Sequence, residues 1–449
     1  MTNNHPLSHR APQNGLVWFD QDLRVNDNPA LHQAAQECAN LIYVYCVDPD
    51  WWQPLHWQCR RIAPPRERFL REGLTDLNEQ LQIRGAGLLL VEGRPADVLK
   101  HLIKQYAVSR LYANISGSVY QQQTLNALEH AQPEITVVAC EGDTLWREAE
   151  LPFPLEQLPA SFTPFRKQIE DQHLRPPLSA PKTLPPALCV GQAETALKRG
   201  ERLQRSGFCG GTQAGKEHLD WYFAGGLPKH YKQTRNALDG WDQSTKFSPW
   251  LAQGAISARQ VVSKLREYEA ENGANESTYW IYFELLWREY FKWYARRYGA
   301  RLFRFTGTGK RKPLTSFYPE RFKAWSQGNT PYPIVNACMR QLNETGYMSN
   351  RGRQLCASCL IYEYQIDWRY GAAYFEQQLI DYDVTANWGN WQYIAGVGAD
   401  PRGGRHFNLD KQTAVYDPEQ RFIQRWQGHR NTAAMDSRDA ADWPIEAPK

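Results

Sequence analysis

The sequence predicts an α/β domain built on a doubly wound parallel sheet, followed by a larger all-helical domain. Three observations lead there. Five short apolar runs alternate with amphipathic stretches between residues 15 and 140. A proline-rich segment follows over about 145–200, and from Gly200 the apolar spacing is helical to about residue 427. At 449 residues the chain is long enough for two sizeable cores.

Taken in order, GLVWF, LIYVYCV, GLLLVEG, RLYANI and ITVVAC read as short buried strands. Arg66 to Arg84 and Pro95 to Tyr106 read as helices between them, the alternation of a doubly wound sheet. No GxGxxG follows the first strand, so a dinucleotide site is not supported. LPFPLEQLPASF and RPPLSAPKTLPPAL lose N–H donors to proline, which blocks helix propagation. They read as a connector laid over the surface and pinned by Phe153, Phe162 and Phe165. The expected division is 1–140 for the α/β domain, 141–200 for the connector, 201–427 for the helical domain and 428–449 for a flexible tail.

Hydrophobic residues make up 42% and charged residues 22%, ordinary for a globular protein. Seventeen tryptophans and 23 tyrosines are not ordinary; they serve a core but also suit stacking and electron transfer. A net charge of +4 is mild, so nucleic-acid binding requires a local basic surface. No apolar run is long enough for a bilayer, and residues 1–14 lack the apolar centre of a signal peptide. The nine cysteines have no framework spacing, and Cys356 and Cys359 form a CxxC with no second pair nearby. They read as packed helix positions with no metal, in a cytoplasmic, reducing setting.

The chemistry-bearing residues concentrate between Glu344 and Gly398, in GYMSNRGRQ, IDWRYG and LIDYDVTANWGNWQY. If Met348 to Gln365 is a helix, Asn350, Arg353 and Gln354 share a face. Asp381, Asp383 and Asn387 follow on a loop or helix start, where carboxylates accept N–H bonds from a ring edge, and Arg353 can pair with Asp381. Upstream, Tyr231, Ser244, Thr245, Lys246 and Ser248 lie in HYKQTRNALDGWDQSTKFSPW. Hydroxyls, backbone N–H groups and a lysine before a helix suit a diphosphate, although Ser-Thr there also serves as a cap. In FELLWREYFKW, Glu284, Trp287 and Arg288 stand at i, i+3 and i+4 and share a helix face.

These segments, together with WFDQDLRVNDNPAL, LPFPLEQLPASFTPFRK, STKFSPWLAQGAIS and GVGADPRGGRHFN in that order, resemble the photolyase and cryptochrome family. The wording is closest to its DASH branch, from about residue 15 to 427. The resemblance implies FAD held by Tyr231, Ser244, Thr245, Lys246, Phe247, Ser248, Arg288, Asn350, Arg353, Asp381, Asp383 and Asn387. It implies that Trp287 stacks on a flipped pyrimidine dimer while Glu284 bonds its base edge. Arg235, Arg351 and Arg405 match positions that grip the lesion's phosphates, with Gln354 and Tyr393 beside the lesion.

Asn387 matches the residue facing flavin N5, where an amide does not repel an anionic reduced flavin. Asn350 and Gln354 occupy the positions at which six-four photolyases place histidines; neither amide is an acid, which leaves cyclobutane dimers as substrate. Tyr393 stands where duplex-active bacterial photolyases tend to have tryptophan, so single-stranded DNA is the expected better substrate. Trp391 and Trp368 match the first two stations of a photoreduction relay. The third falls near Thr315, with Trp325, Tyr318, Tyr362 and Tyr364 as replacements.

An optional antenna pigment, commonly a methenyl folate, is also implied, with two departures. Asp20 replaces a usual basic residue, and Ser116 falls where a glutamate holds the folate, in a run from Asn114 to Tyr120 with no acid. The expected protein is a monomeric, light-driven DNA photolyase of the DASH kind. Its rival is a blue-light photoreceptor that signals or regulates transcription through a partner.

Overall fold

Five parallel strands form one sheet: β1 (Asn14–Phe19), β2 (Asn40–Val47), β3 (Leu88–Glu92), β4 (Arg110–Asn114) and β5 (Thr136–Cys140), in the order β3-β2-β1-β4-β5. The structure is a computed structural model and describes residues 13–430 except 55, 56, 58, 190, 192–206 and 401. Most of the expected tail therefore lies outside the described residues. β1 and β2 are apolar almost throughout because helices cover both faces. Val17, Phe19, Tyr43 and Leu77 pack on one side, while Leu16, Trp18, Ile42 and Leu99 pack on the other. The covering helices are Pro29–Glu37, Pro64–Gln82, Pro95–Gln105 and Val119–Ala131. Three of them start on a proline, whose missing N–H costs nothing in the first turn. Strand order reverses between β1 and β4, which opens a crevice beyond the carboxyl ends of the strands.

The proline-rich connector differs from the expectation in one respect: it contains a helix, Phe162–Ile169. Pro164 sits in the first turn, where it breaks no intrahelical bond, so proline does not forbid the helix here. Phe153, Phe162 and Phe165 are all buried, so the segment is held by its aromatic side chains.

The second half is helical and centres on Glu276–Tyr298, started by a capping box between Asn275 and Thr278. Against it pack Val384–Ala395, capped by Asp383, and the short helix Tyr231–Thr234. Trp368–Gln378 packs in turn on Val384–Ala395. Asn350–Ser358, capped by Ser349, runs on into a wider π turn at Cys359–Glu363. The two halves are bolted together by buried charge. Arg259 forks onto Asp27 at 2.9–3.2 Å, and Arg24 donates to the carbonyls of Gly254 and Gly142. Among the described residues, no helix is long and apolar enough to cross a membrane.

Candidate functional site

Local structure brings two distant segments onto one carboxylate. Helix Asn350–Ser358 presents Arg353, whose Nη2 reaches Asp381 Oδ2 at 2.7 Å, the pairing that their charges allow. The loop 244–248 arrives from the other side, and Ser248 Oγ donates to the same Oδ2 at 2.7 Å. Lys246, at φ 55°, puts its ammonium over the Tyr347 ring at 4.8 Å, and the Arg353 guanidinium faces that ring at 5.6 Å. Thr245 turns its carbonyl to His218 Nε2 at 2.8 Å, which fixes the loop. Tyr231 and Phe247 are buried beneath it. Asp381 Oδ1 is buried and accepts nothing from the chain. A buried acceptor left over is costly unless a donor from a bound molecule meets it, which fits the N–H edge of a flavin ring. Asn350 is exposed on the first turn of its helix and Gln354 is half-buried one turn on. Asn387 donates its amide to the Ala372 carbonyl at 2.9 Å.

A second cluster lies at the other end of helix Val384–Ala395. Trp287 stacks flat on Phe162, with centroids 3.8 Å apart, and meets Tyr393 edge-on at 5.7 Å. Arg405 donates to the Tyr393 hydroxyl and pairs with Asp400. Glu284 pairs with Arg235, which also lies over the Trp280 ring at 4.3 Å. Burial raises the Glu284 carboxyl above its ordinary range, and Arg235 opposes that. Arg351 bonds Asn236 at 3.3 Å and covers Tyr416; burial, with Arg235 adding, works against its charge. The result is one surface of indole, phenol and three guanidinium groups. Trp280, one turn before Glu284, was absent from the sequence reading; its position at i−4 on the same face is the signal that marks it.

Two predicted cofactor residues are engaged inside the protein. Arg288 turns from Glu284 toward Asp143, and Asp383 pairs with Lys292 at 2.5 Å. Lys292 also pairs with Asp143 and donates to the Ser116 carbonyl, so a buried ion network links the α/β half to the helical half. Burial alone would raise the Asp383 carboxyl, but Lys292, Arg288 and Thr385 outweigh it and hold it well below the ordinary range. Lys292 and Asp143 were missed from sequence. The signal was a lysine between Phe291 and Trp293, where solvent contact is improbable.

Trp391 and Trp368 are buried on packed helices, and Gly371 leaves space that the Trp391 ring fills. Trp325 meets Trp391 edge-on at 6.3 Å. Trp368 meets Trp388 edge-on at 5.8 Å. Thr315 is half-buried beside the bridge between Ser316 and Ile366, and brings no ring there. Tyr318 lies under Arg321, and Tyr362 donates to the Ile394 carbonyl; the Tyr364 hydroxyl is buried without a partner.

The crevice at the strand ends is a cleft of about 440 Å³ lined by Asp20, Arg61, Arg66, Tyr120, Glu376 and Tyr382, among others. Ser116 instead bonds Gln121 at its own turn and is not part of that lining. The acids in the cleft come from other segments, which the run Asn114–Tyr120 does not reveal. Burial, with Asp22 adding, pushes Asp20 up to about 7 despite Lys292. Among the described residues no group of His, Cys, Asp and Glu is placed to hold a metal.

A winged arrangement of this kind, an α/β sheet domain set on a helical domain with a buried carboxylate and an aromatic clamp, defines a flavoprotein of the photolyase class. Residues 15–185 match the DNA photolyase family and residues 280–439 match the FAD binding domain of DNA photolyase. Over 436 residues the chain is 50% identical to the cryptochrome DASH of Idiomarina loihiensis, covering 96% of both. The solved cryptochrome of Synechocystis superposes with a TM-score of 0.87 at 40% identity, covering 93% of this chain and 89% of that one. A bacterial class III photolyase from Agrobacterium tumefaciens superposes with a TM-score of 0.80 at 26% identity, covering 99% and 92%. The chain belongs to the photolyase and cryptochrome family, in its cryptochrome DASH branch, and its cofactor is FAD.

Proposed function

We propose that this protein splits cyclobutane pyrimidine dimers under blue light, preferentially in single-stranded DNA. The observation that carries the reading is one helix, Val384–Ala395, joining the two clusters: Asp381 and Asp383 precede it, Asn387 lies within it, and Tyr393 ends it against Trp287. Reduced FAD, when excited, supplies one electron to the dimer and receives it back after the ring opens. The chain's residues do the rest. Arg353 and Ser248 hold one oxygen of Asp381, so its second oxygen would accept from the flavin ring, while Lys246 and the loop hydroxyls would hold the diphosphate. Asn387, an uncharged amide, would face the ring without repelling its anionic reduced form.

Trp287 is held rigid by Phe162, so it offers a stacking wall at little entropic cost. Glu284 accepts from a base edge, and Arg235, Arg351 and Arg405 meet phosphates flanking the dimer. Asn350 and Gln354 supply no acid, which suits cyclobutane splitting and not six-four repair. A dimer in a single strand has already lost its pairing and avoids an extrusion cost of a few kcal/mol. Trp391 and Trp368 would carry electrons toward the flavin when it is oxidised.

The test is illumination of reduced protein with a dimer-containing oligonucleotide, reading dimer loss by chromatography. Light-dependent loss is expected and none in the dark. No loss on any strand would overturn the repair role and favour a photoreceptor.

A further inference from the structure

The sequence leaves the relay without a third aromatic station at Thr315, and the structure supplies another exit. Trp368 is fully buried, so a hole placed on it must move to another ring to reach solvent. Trp388 meets it edge-on at 5.8 Å, and its Nε1 donates to the Tyr382 hydroxyl at 3.3 Å. Tyr382 and Glu376 line the cleft at the strand ends. Both Tyr382 and Trp388 act on the Glu376 carboxylate in favour of its ionised form.

We propose that Trp388 and Tyr382 form the terminal arm of the photoreduction relay, with Glu376 as the proton acceptor for Tyr382. This rests on the reading that Trp391 and Trp368 reduce photoexcited flavin. An electron leaves Trp391 for the flavin, Trp368 refills Trp391, and Trp388 refills Trp368. Tyr382 then gives Trp388 an electron as its phenol O–H breaks, and the proton forms a new O–H bond on the Glu376 carboxylate. A neutral tyrosyl radical remains at the cleft. A small thiol entering the cleft donates an electron and a proton, restoring the phenol and leaving a thiyl radical, and Glu376 releases its proton to solvent.

Two features select this arm over the ring contacts of Trp325. The Arg66 guanidinium lies 4.5 Å from the Tyr382 ring centroid, which opposes a cationic tyrosine radical. Electron and proton must therefore leave together, and Glu376, which lines the same cleft, is the carboxylate available to take the proton. On the other branch, Trp391 meets Trp325, and Trp325 meets Tyr374 at 5.7 Å. The Tyr374 hydroxyl donates only to the Ser326 carbonyl and the Asn343 amide oxygen, neither of which is a base.

The experiment is flash excitation of the flavin-loaded protein with transient absorption and electron paramagnetic resonance, compared across Trp388→Phe, Tyr382→Phe, Glu376→Gln and Trp325→Phe. Wild type is expected to pass from a tryptophan radical to a tyrosyl radical, with slower transfer in deuterium oxide. Trp388→Phe and Tyr382→Phe should lose the tyrosyl signal and return the charge faster to the flavin, with flavin content unchanged. Glu376→Gln should prolong the tryptophan radical, and Trp325→Phe should change nothing. A tyrosyl signal that survives Tyr382→Phe, or that vanishes in Trp325→Phe, overturns the arm. A wild type that binds flavin but forms no tryptophan radical overturns the relay reading itself, and the arm with it.

Discussion

Replacing Lys292 with methionine tests how the two halves are held and how the site is aimed. The ammonium is 1% exposed and sits between Asp143 and Asp383, with a third bond to the Ser116 carbonyl. Breaking a buried pair from one side costs about 3–5 kcal/mol, because the partner charge is left unpaired. Arg288 still holds Asp143, and Asp383 keeps bonds from Thr385 and Ala386, so the expected loss is about 3 kcal/mol. Asp383 also carries a pH signature. Its folded pKa is depressed, so its contribution is present above the ordinary 3.8 and lost as pH falls through the folded value. Without Lys292, the strongest influence opposing burial is gone, so the Asp383 carboxyl rises and its ionisation becomes more costly as pH rises. The gap between wild type and variant in urea unfolding should therefore widen from pH 4 to pH 7. Adding Asp383→Asn, which still caps the helix, should recover part of the loss. A single variant within about 1 kcal/mol of wild type, or a double variant no better than the single, would refute the network.

Three further outcomes follow from the same geometry. Asp381→Ala with Arg353→Ala removes the orphaned acceptor and its orienting partner, and FAD should be lost on gel filtration; full occupancy would remove the pocket assignment. Methenyl folate should be absent or substoichiometric after purification, read by absorbance and mass spectrometry, because the expected glutamate is missing and Asp20, pushed up to about 7, is only partly ionised at neutral pH. Asp20 has a folded pKa of about 7 against an ordinary 3.8, so its contribution is fully present below 3.8 and lost as pH rises through 7. Asp20→Asn should match wild type near pH 4 and exceed it by about 1–3 kcal/mol at pH 8 in thermal unfolding, and parallel curves would contradict the shift.

Much of the fold was legible because parallel strands covered on both faces are nearly continuous apolar runs, as in NLIYVYCV. The Arg353–Asp381 pair was legible as a possibility, since opposite charges among the clustered polar residues invite a pair. The helix Phe162–Ile169 was not, because proline density was read as a helix block although Pro164 lies in a first turn. The roles of Asp143, Lys292 and Asp383 were hidden because their contacts span about half the chain and depend on how two domains dock. The gap at Thr315 was visible as a missing ring. Trp388 was not recognised as the neighbour of Trp368, because ring contact depends on side-chain direction across two packed helices.

Dimer splitting on matched strands bears most directly on the central claim. The same dimer is placed in a single strand and in its duplex, at one salt concentration and subsaturating reduced protein, and splitting is timed under blue light. Faster splitting in the single strand is the expected result, with the gap narrowing for Tyr393→Trp. Equal rates would contradict the strand preference, and no splitting on either substrate would contradict repair.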